Sequence, residues 1–156
     1  MKGIDCISSG HSYIAPPYKL TENFQQSLNG IPTAGLSLFA VWNMLNVPVS
    51  SQEQLEHYIV RLAKWLSLYP AKVLKLIHER GKIEVGQRAD LVVWNPYEKF
   101  ALPQDWRYRE TSPFLAQEMM GRVAKVYIKG QVAYDNGNVL SPAGQVVIRN
   151  IQNMLE

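Results

Sequence analysis

Cysteine is nearly missing from this chain: Cys6 is the only one among 156 residues. A lone cysteine excludes an intrachain disulfide and a thiolate zinc cluster. Its apolar neighbours Ile4 and Ile7 predict a buried, inert thiol. Long apolar runs are missing too. No stretch nears the ~20 apolar residues of a membrane helix, and the N-terminus has no signal-peptide core, so the expectation is a cytoplasmic chain without membrane contact. Charged residues are sparse at 19%, which fits a surface partly covered by another subunit or segment. The net charge is +3, but the basic residues are scattered. Lys72, Lys75, Arg80 and Lys82 gather near a predicted helix end, where cations complement the helix dipole, and Arg107 and Arg109 lie in a loop. Without a basic stripe or a known module, nucleic acid is not an expected partner.

Histidine is scarce as well. His11, His57 and His78 are isolated, with no H-x-H or H-x-x-x-H pair to put two ligands on one face. Metal-activated hydrolysis needs several His, Asp or Glu side chains on one ion, and no segment here supplies them. His57 and His78 fall on predicted helices and read as surface or helix-end residues. His11 follows a predicted strand, where barrel enzymes place their chemistry, and its plainer reading is a loop histidine bonded to backbone. Ser9 or Ser12 beside it lacks the G-x-S-x-G elbow of a serine nucleophile. Glycines occur singly, so no loop is built to cradle phosphate. Asp90 opens an apolar strand, where an acid can bond turn amides and set the register. Trp42, Trp65, Trp94 and Trp106 form no stacking pattern and read as core or interface fillers.

What the chain does have is a change of grammar. Apolar residues make up 47%, ordinary for a globular protein, and one domain or two small pieces fit the length. Residues 3–9 predict a short strand ending in a polar turn. Two loops follow, the second being Asn29-Gly30-Ile31-Pro32-Thr33-Ala34-Gly35. The apolar stretch from Leu36 to Leu45 suits a buried helix. Ser50 and Glu53 have capping-box spacing before a helix whose inner face is Leu55, Tyr58, Ile59, Leu62 and Leu66. Pro70 opens a further helix predicted to run through Leu74, Ile77 and His78 to a stop at Gly81. After Gly81 strand signals take over: Ile83–Val85, then Ala89–Trp94 ended by Asn95-Pro96. Val123–Ile128 alternates, Lys129-Gly130 turns, Gln131–Tyr134 returns, and Asp135-Asn136-Gly137 turns again. Gln145 to Leu155 fits a strand followed by a short helix. The switch at Gly81 is the expected domain boundary.

Three of these stretches carry a resemblance. Gly81 to Pro96, GKIEVGQRADLVVWNP, resembles the G-x-I-x-x-G-x-x-A-D-L-V-x-W-x-P stretch of the cyclic-amide hydrolases (allantoinase, dihydropyrimidinase and dihydroorotase) in the amidohydrolase superfamily. Tyr69-Pro70-Ala71-Lys72 resembles the N-P-A-K that opens the helix before it. Ser112-Pro113-Phe114, Gly121-Arg122-Val123 and the segment Tyr127 to Tyr134 are similar to the closing hairpin, and the Ser-Pro-aromatic pattern favours the allantoinase branch. The resemblance implies an α/β plus β fold. Residues 1–80 would be the last strand and helices of a (β/α)8 barrel, and residues 81–156 part of a small β-sandwich with a C-terminal tail. The implied reaction is hydrolysis of allantoin to allantoate in purine catabolism, by metal-activated water, with zinc as the parent family's cofactor.

The front end departs from that pattern. Ser8-Ser9-Gly10-His11-Ser12-Tyr13 resembles S-S-D-H-S-P at the end of barrel strand eight, where the aspartate ligates the metal and serves as general base. Gly10 occupies the aspartate position, and glycine can neither take a proton nor bind zinc. The family's other ligands (an H-x-H after strand one, a carboxylated lysine, two further histidines) come from earlier strands, and a whole barrel takes about 250 residues. The resemblance thus implies no catalytic residue, no metal ligand and no cofactor in this chain. It leaves the backbone of Asn29, Gly30 and Ile31 as the contact to a substrate ring. The expectation is a chain inactive alone, partnered with itself or with a chain carrying the other strands, and taking a small cyclic amide only in a completed site. The alternative is a non-catalytic scaffold or partner subunit related to dihydropyrimidinase and dihydroorotase.

Overall fold

Two short hairpin turns organise the second half of the molecule. In the computed structural model, which describes residues 3–45, 51–115, 117–140, 144 and 147, four strands form one antiparallel sheet in sequence order. They are β1 (Leu91–Phe100), β2 (Met119–Ile128), β3 (Gln131–Asp135) and β4 (Asn138–Val139). Lys129-Gly130 and Asn136-Gly137 link β2 to β3 and β3 to β4, and all four residues have positive φ. That is the two-residue turn whose twist matches a hairpin, and glycine at its second position carries no steric cost.

The sheet is not regular. Val93 pairs with Lys125 while Trp94 pairs with Val123, so β2 carries one extra residue, Ala124. Asn95 pairs with Arg122 and Lys99 with Met120, so β1 holds two extra residues around Pro96. Pro96 was expected to end the strand. Instead β1 runs past it, because at a break in pairing its missing N–H costs no ladder bond.

After a single short helical turn, α1 (Pro16–Lys19), the helix α2 (Ser37–Met44) docks on these irregularities. Phe39 and Trp42 point into the core, as the apolar stretch predicted. The indole Nε1 of Trp42 donates to the Pro96 carbonyl at 2.9 Å. Asn43 exchanges two bonds with the main chain of Met120, its Nδ2 donating at 3.0 Å and its Oδ1 accepting at 2.9 Å. Trp42 and Trp94 meet edge to face at 5.3 Å, over Gly121. A Cβ at Gly121 would lie 3.0 Å from the Trp94 ring, and its φ is +106°, so glycine is required there. One buried cluster joins Leu36 and Phe39 to Leu102 and Met119; the other joins Trp42 to Leu55 and Leu62. Truncating Trp42 would cost about 3–5 kcal/mol.

The second helical run begins at α3 (Gln52–Ala63). Ser50 lies outside the described residues; the cap is Ser51, whose hydroxyl accepts the Gln54 amide at 3.3 Å. Leu55 and Leu62 are buried, and Tyr58, Ile59 and Leu66 pack beside them, as the periodicity predicted. A wide π turn (Lys64–Leu68) leads into α4 (Tyr69–Val73). Pro70 explains the π turn. It offers no N–H, and its ring needs space in the preceding turn. Tyr69 donates to Lys64, so the Trp65 carbonyl is left without a helical donor and accepts the Ile7 amide at 3.0 Å.

Several expectations fail here. α4 ends at Val73, not near Gly81, and Lys75 with φ +52° turns the chain away. Gly81 serves another need: a Cβ there would come within 2.5 Å of Ala71. Residues 83–85 form no strand, and Ile83 and Val85 are exposed, because no neighbouring strand reaches them. Residues 3–9 likewise join no sheet, and Cys6 is exposed instead of buried. Burial of that segment would require strands on either side, and no described strand flanks it. Gln145 to Leu155 lies outside the described residues except for Val147, which is exposed. No described helix is long and apolar enough to cross a membrane.

Candidate functional site

Gly10, the position of greatest chemical interest, has φ +54° and open space around its missing Cβ. It contributes no side chain to any site. The residues beside it are tied to the second loop by four hydrogen bonds. His11 Nδ1 accepts the amides of Thr33 at 3.0 Å and Ala34 at 2.9 Å. The Thr33 hydroxyl donates to the Ser9 carbonyl at 2.6 Å, and the Ser12 amide to the Ile31 carbonyl at 3.0 Å. Gly30 packs so closely on Ser12 and Ile14 that a Cβ would fall 2.7–2.9 Å from them. Pro32 beside it is fully buried. The loop that carries Gly10 and the loop expected to contact a substrate ring thus lie side by side.

In this arrangement the loop Asn29-Gly30-Ile31 has spent two of its carbonyls. Lys19 Nζ donates to the Gly30 carbonyl at 2.9 Å, and Ser12 takes that of Ile31. The amides of Asn29, Gly30 and Ile31 donate to no described backbone group. Asn29 and Ile31 are exposed. What the loop can still offer a ligand is therefore three backbone donors and the carbonyl of Asn29.

An aromatic group that sequence reasoning did not find flanks the site. Tyr108 lies 5.1 Å from the His11 ring and 5.2 Å from Tyr13, and Trp106 meets it edge on at 5.6 Å. Arg107 lies over the Tyr108 ring. Tyr108 sits in an irregular loop with no periodic pattern, so only the fold could bring it to His11.

The other candidates lie elsewhere and have structural roles. On α3, Arg61 bonds His57 Nε2 at 3.0 Å. His78 is exposed in a turn beyond α4, where its carbonyl accepts Gln87. Asp90 does bond a turn amide, as expected: its carboxylate accepts Lys129 N–H at 2.9 Å, with Arg88 at 2.8 Å and Arg80 at 3.3 Å. Burial pushes the Asp90 carboxyl up, but the Lys129 amide and the two guanidiniums outweigh it and hold it below the ordinary value of 3.8. Among the described residues, no three His, Cys, Asp or Glu side chains converge as a metal site would need. His11 Nδ1 is committed to backbone and Gly10 has no donor atom, so the described residues of the candidate site do not fit a catalytic zinc.

Comparisons with known proteins bear on the family and the fold. The profile of the amidohydrolase family matches residues 39–133. The allantoinase of Arabidopsis thaliana is 30% identical over 146 residues, covering 90% of this chain and 27% of the relative. The dihydroorotase of Geobacter sp. (strain M21) is 32% identical over 142 residues, covering 86% and 30%. Among solved structures, the D-hydantoinase (dihydropyrimidinase) from Thermus sp. superposes with a TM-score of 0.72 at 24% identity, over 89% of this chain and 30% of that one. The chain thus spans between a quarter and a third of the length of these relatives.

Proposed function

The chain belongs to the amidohydrolase family, and from that membership we propose that it represents the C-terminal part of an allantoinase-like cyclic-amide hydrolase, without activity of its own. In this reading residues 1–80 end the (β/α)8 barrel and residues 81–156 form the small β-sandwich domain with its tail. The observation that carries it is the join between the Ser9–Tyr13 loop and the Asn29–Ile31 loop. One bears the family's strand-eight pattern, and the other presents free amides beside it.

The chemistry divides accordingly. A cyclic amide has ring carbonyls that accept hydrogen bonds, and the amides of Asn29, Gly30 and Ile31 are donors of the right kind. Opening the ring needs an activated water, and in the family that step rests on zinc and on the carboxylate replaced here by Gly10. No step through zinc is derived for this chain, since its described residues do not fit the ion. The chain would act only together with a second copy or a chain carrying the remaining strands. Gly10, and a His11 already spent on backbone, also suit the second reading, a non-catalytic partner subunit.

Metal analysis and turnover assays test the proposal. The purified chain, supplied with zinc, is expected to retain no stoichiometric metal and to leave allantoin, dihydroorotate and dihydrouracil unopened. Steady hydrolysis of any of the three with bound zinc would sink the inactive reading.

A further inference from the structure

His11 makes contacts that metal chemistry does not require. Its Nδ1 accepts two successive amides, Thr33 and Ala34, at 3.0 and 2.9 Å. Accepting there places the ring's proton on Nε2. The ring packs at a tilt of 60° against Tyr108, with 5.1 Å between centroids, and Tyr13 and Trp106 contact Tyr108 in turn. Hydrogen bonds and ring packing thus both hold the imidazole. Thr33 and Ala34 lie directly between the Asn29–Ile31 loop and α2, and the Thr33 carbonyl accepts the Leu36 amide at 2.9 Å as the helix begins. A group that holds these two amides sets how the loop leaves Pro32 and enters α2.

We propose that His11 is a positioning residue: through Nδ1 it clamps the 29–34 loop in the shape that keeps the amides of Asn29, Gly30 and Ile31 free of backbone partners. The functional meaning of the clamp rests on the ring-binding reading above; the clamp itself does not. The Ser9–Thr33 and Ser12–Ile31 bonds hold the same two loops, but neither engages the Ala34 amide.

Asparagine and glutamine separate the two ring nitrogens. Asn Oδ1 stands near the position of Nδ1 and can accept both amides, whereas Gln Oε1 reaches toward Nε2 and leaves them unpartnered. Amide hydrogen exchange of the full chain, read by NMR, is expected to quicken about tenfold at Thr33 and Ala34 in His11→Ala and His11→Gln. It is expected to stay near wild type in His11→Asn, a rescue that loss of packing alone would not give. Ring nitrogen shifts in the wild type are expected to show the proton on Nε2. Should His11→Ala fail to fold, the Asn and Gln variants carry the comparison. Equal protection in both variants, or a proton on Nδ1, overturns the proposal. Titrating hydantoin into the wild type reports separately on the ligand. Unmoved amides at residues 29–31 would reject ring binding, and the clamp would still be judged by the exchange data.

Discussion

At the scale of single residues, Asp90 shows how one side chain can set a register. Its carboxylate reaches across from the start of β1 to the turn between β2 and β3, so it couples two elements that are distant in sequence. Because its folded pKa lies below 3.8, its stabilisation is complete above that value and is lost as the pH falls through and below it. Asp90→Asn keeps an acceptor for the Lys129 amide but removes the charge that faces Arg80 and Arg88. We expect the variant to be less stable by about 1 kcal/mol near neutral pH, since these pairs are partly exposed. The gap should narrow as the pH falls through the ordinary carboxyl value of 3.8 and below it. Urea unfolding of both proteins across that range checks it, and a gap independent of pH would refute the assignment. This role was legible in the sequence, because an acid beside an apolar strand and a turn has few other partners. The exposure of Cys6 was not legible. Its neighbours are apolar, but burial depends on strands that no local pattern can supply.

At the scale of elements, the helical run from α3 to α4 illustrates what periodicity shows and what it misses. The inner face was readable from spacing alone. The π turn was not, since it arises from a proline acting on the turn before it and not from any repeat. Likewise the hairpin turns were readable from Lys-Gly and Asn-Gly, whereas the passage of β1 through Pro96 depends on α2 packing against the break. Pro70→Ala tests the coupling. The new N–H gives the helix a donor that competes for the Trp65 carbonyl, which now holds the Ile7 amide. Hydrogen exchange at Ile7 is expected to become roughly tenfold faster, the equivalent of losing a bond of ~1.4 kcal/mol. The helix itself should gain stability, alanine being the better helix former. Unchanged exchange at Ile7 would show that the N-terminal segment is held by other contacts.

At the scale of the whole molecule, the front third leaves apolar side chains in solvent. Ile4, Tyr13, Tyr18, Leu20, Leu28 and above all Phe24, which is 90% exposed, make an unusual surface for a chain of this size. We expect light scattering coupled to size exclusion to give a mass above the 17.7 kDa of one chain, and Phe24→Asp to lower it. A strictly monomeric wild type that unfolds cooperatively would count against any partner at this surface. In the second half the irregular sheet has a further effect. Side chains on a strand alternate, so the face that a residue presents is a matter of odd and even. The extra residue Ala124 changes that parity midway along β2. Val123 packs on the core, while Lys125, two places on, reaches Asp135 at the surface. Strict alternation would have put both on one face. The two extra residues of β1 leave its parity intact. Removing Ala124 would therefore only make the strand regular, leaving Val123 and Lys125 on the opposite faces they already occupy. Drawing Ala124 into the ladder is what would exchange inside for outside from that point on, setting a lysine where the core expects a hydrocarbon.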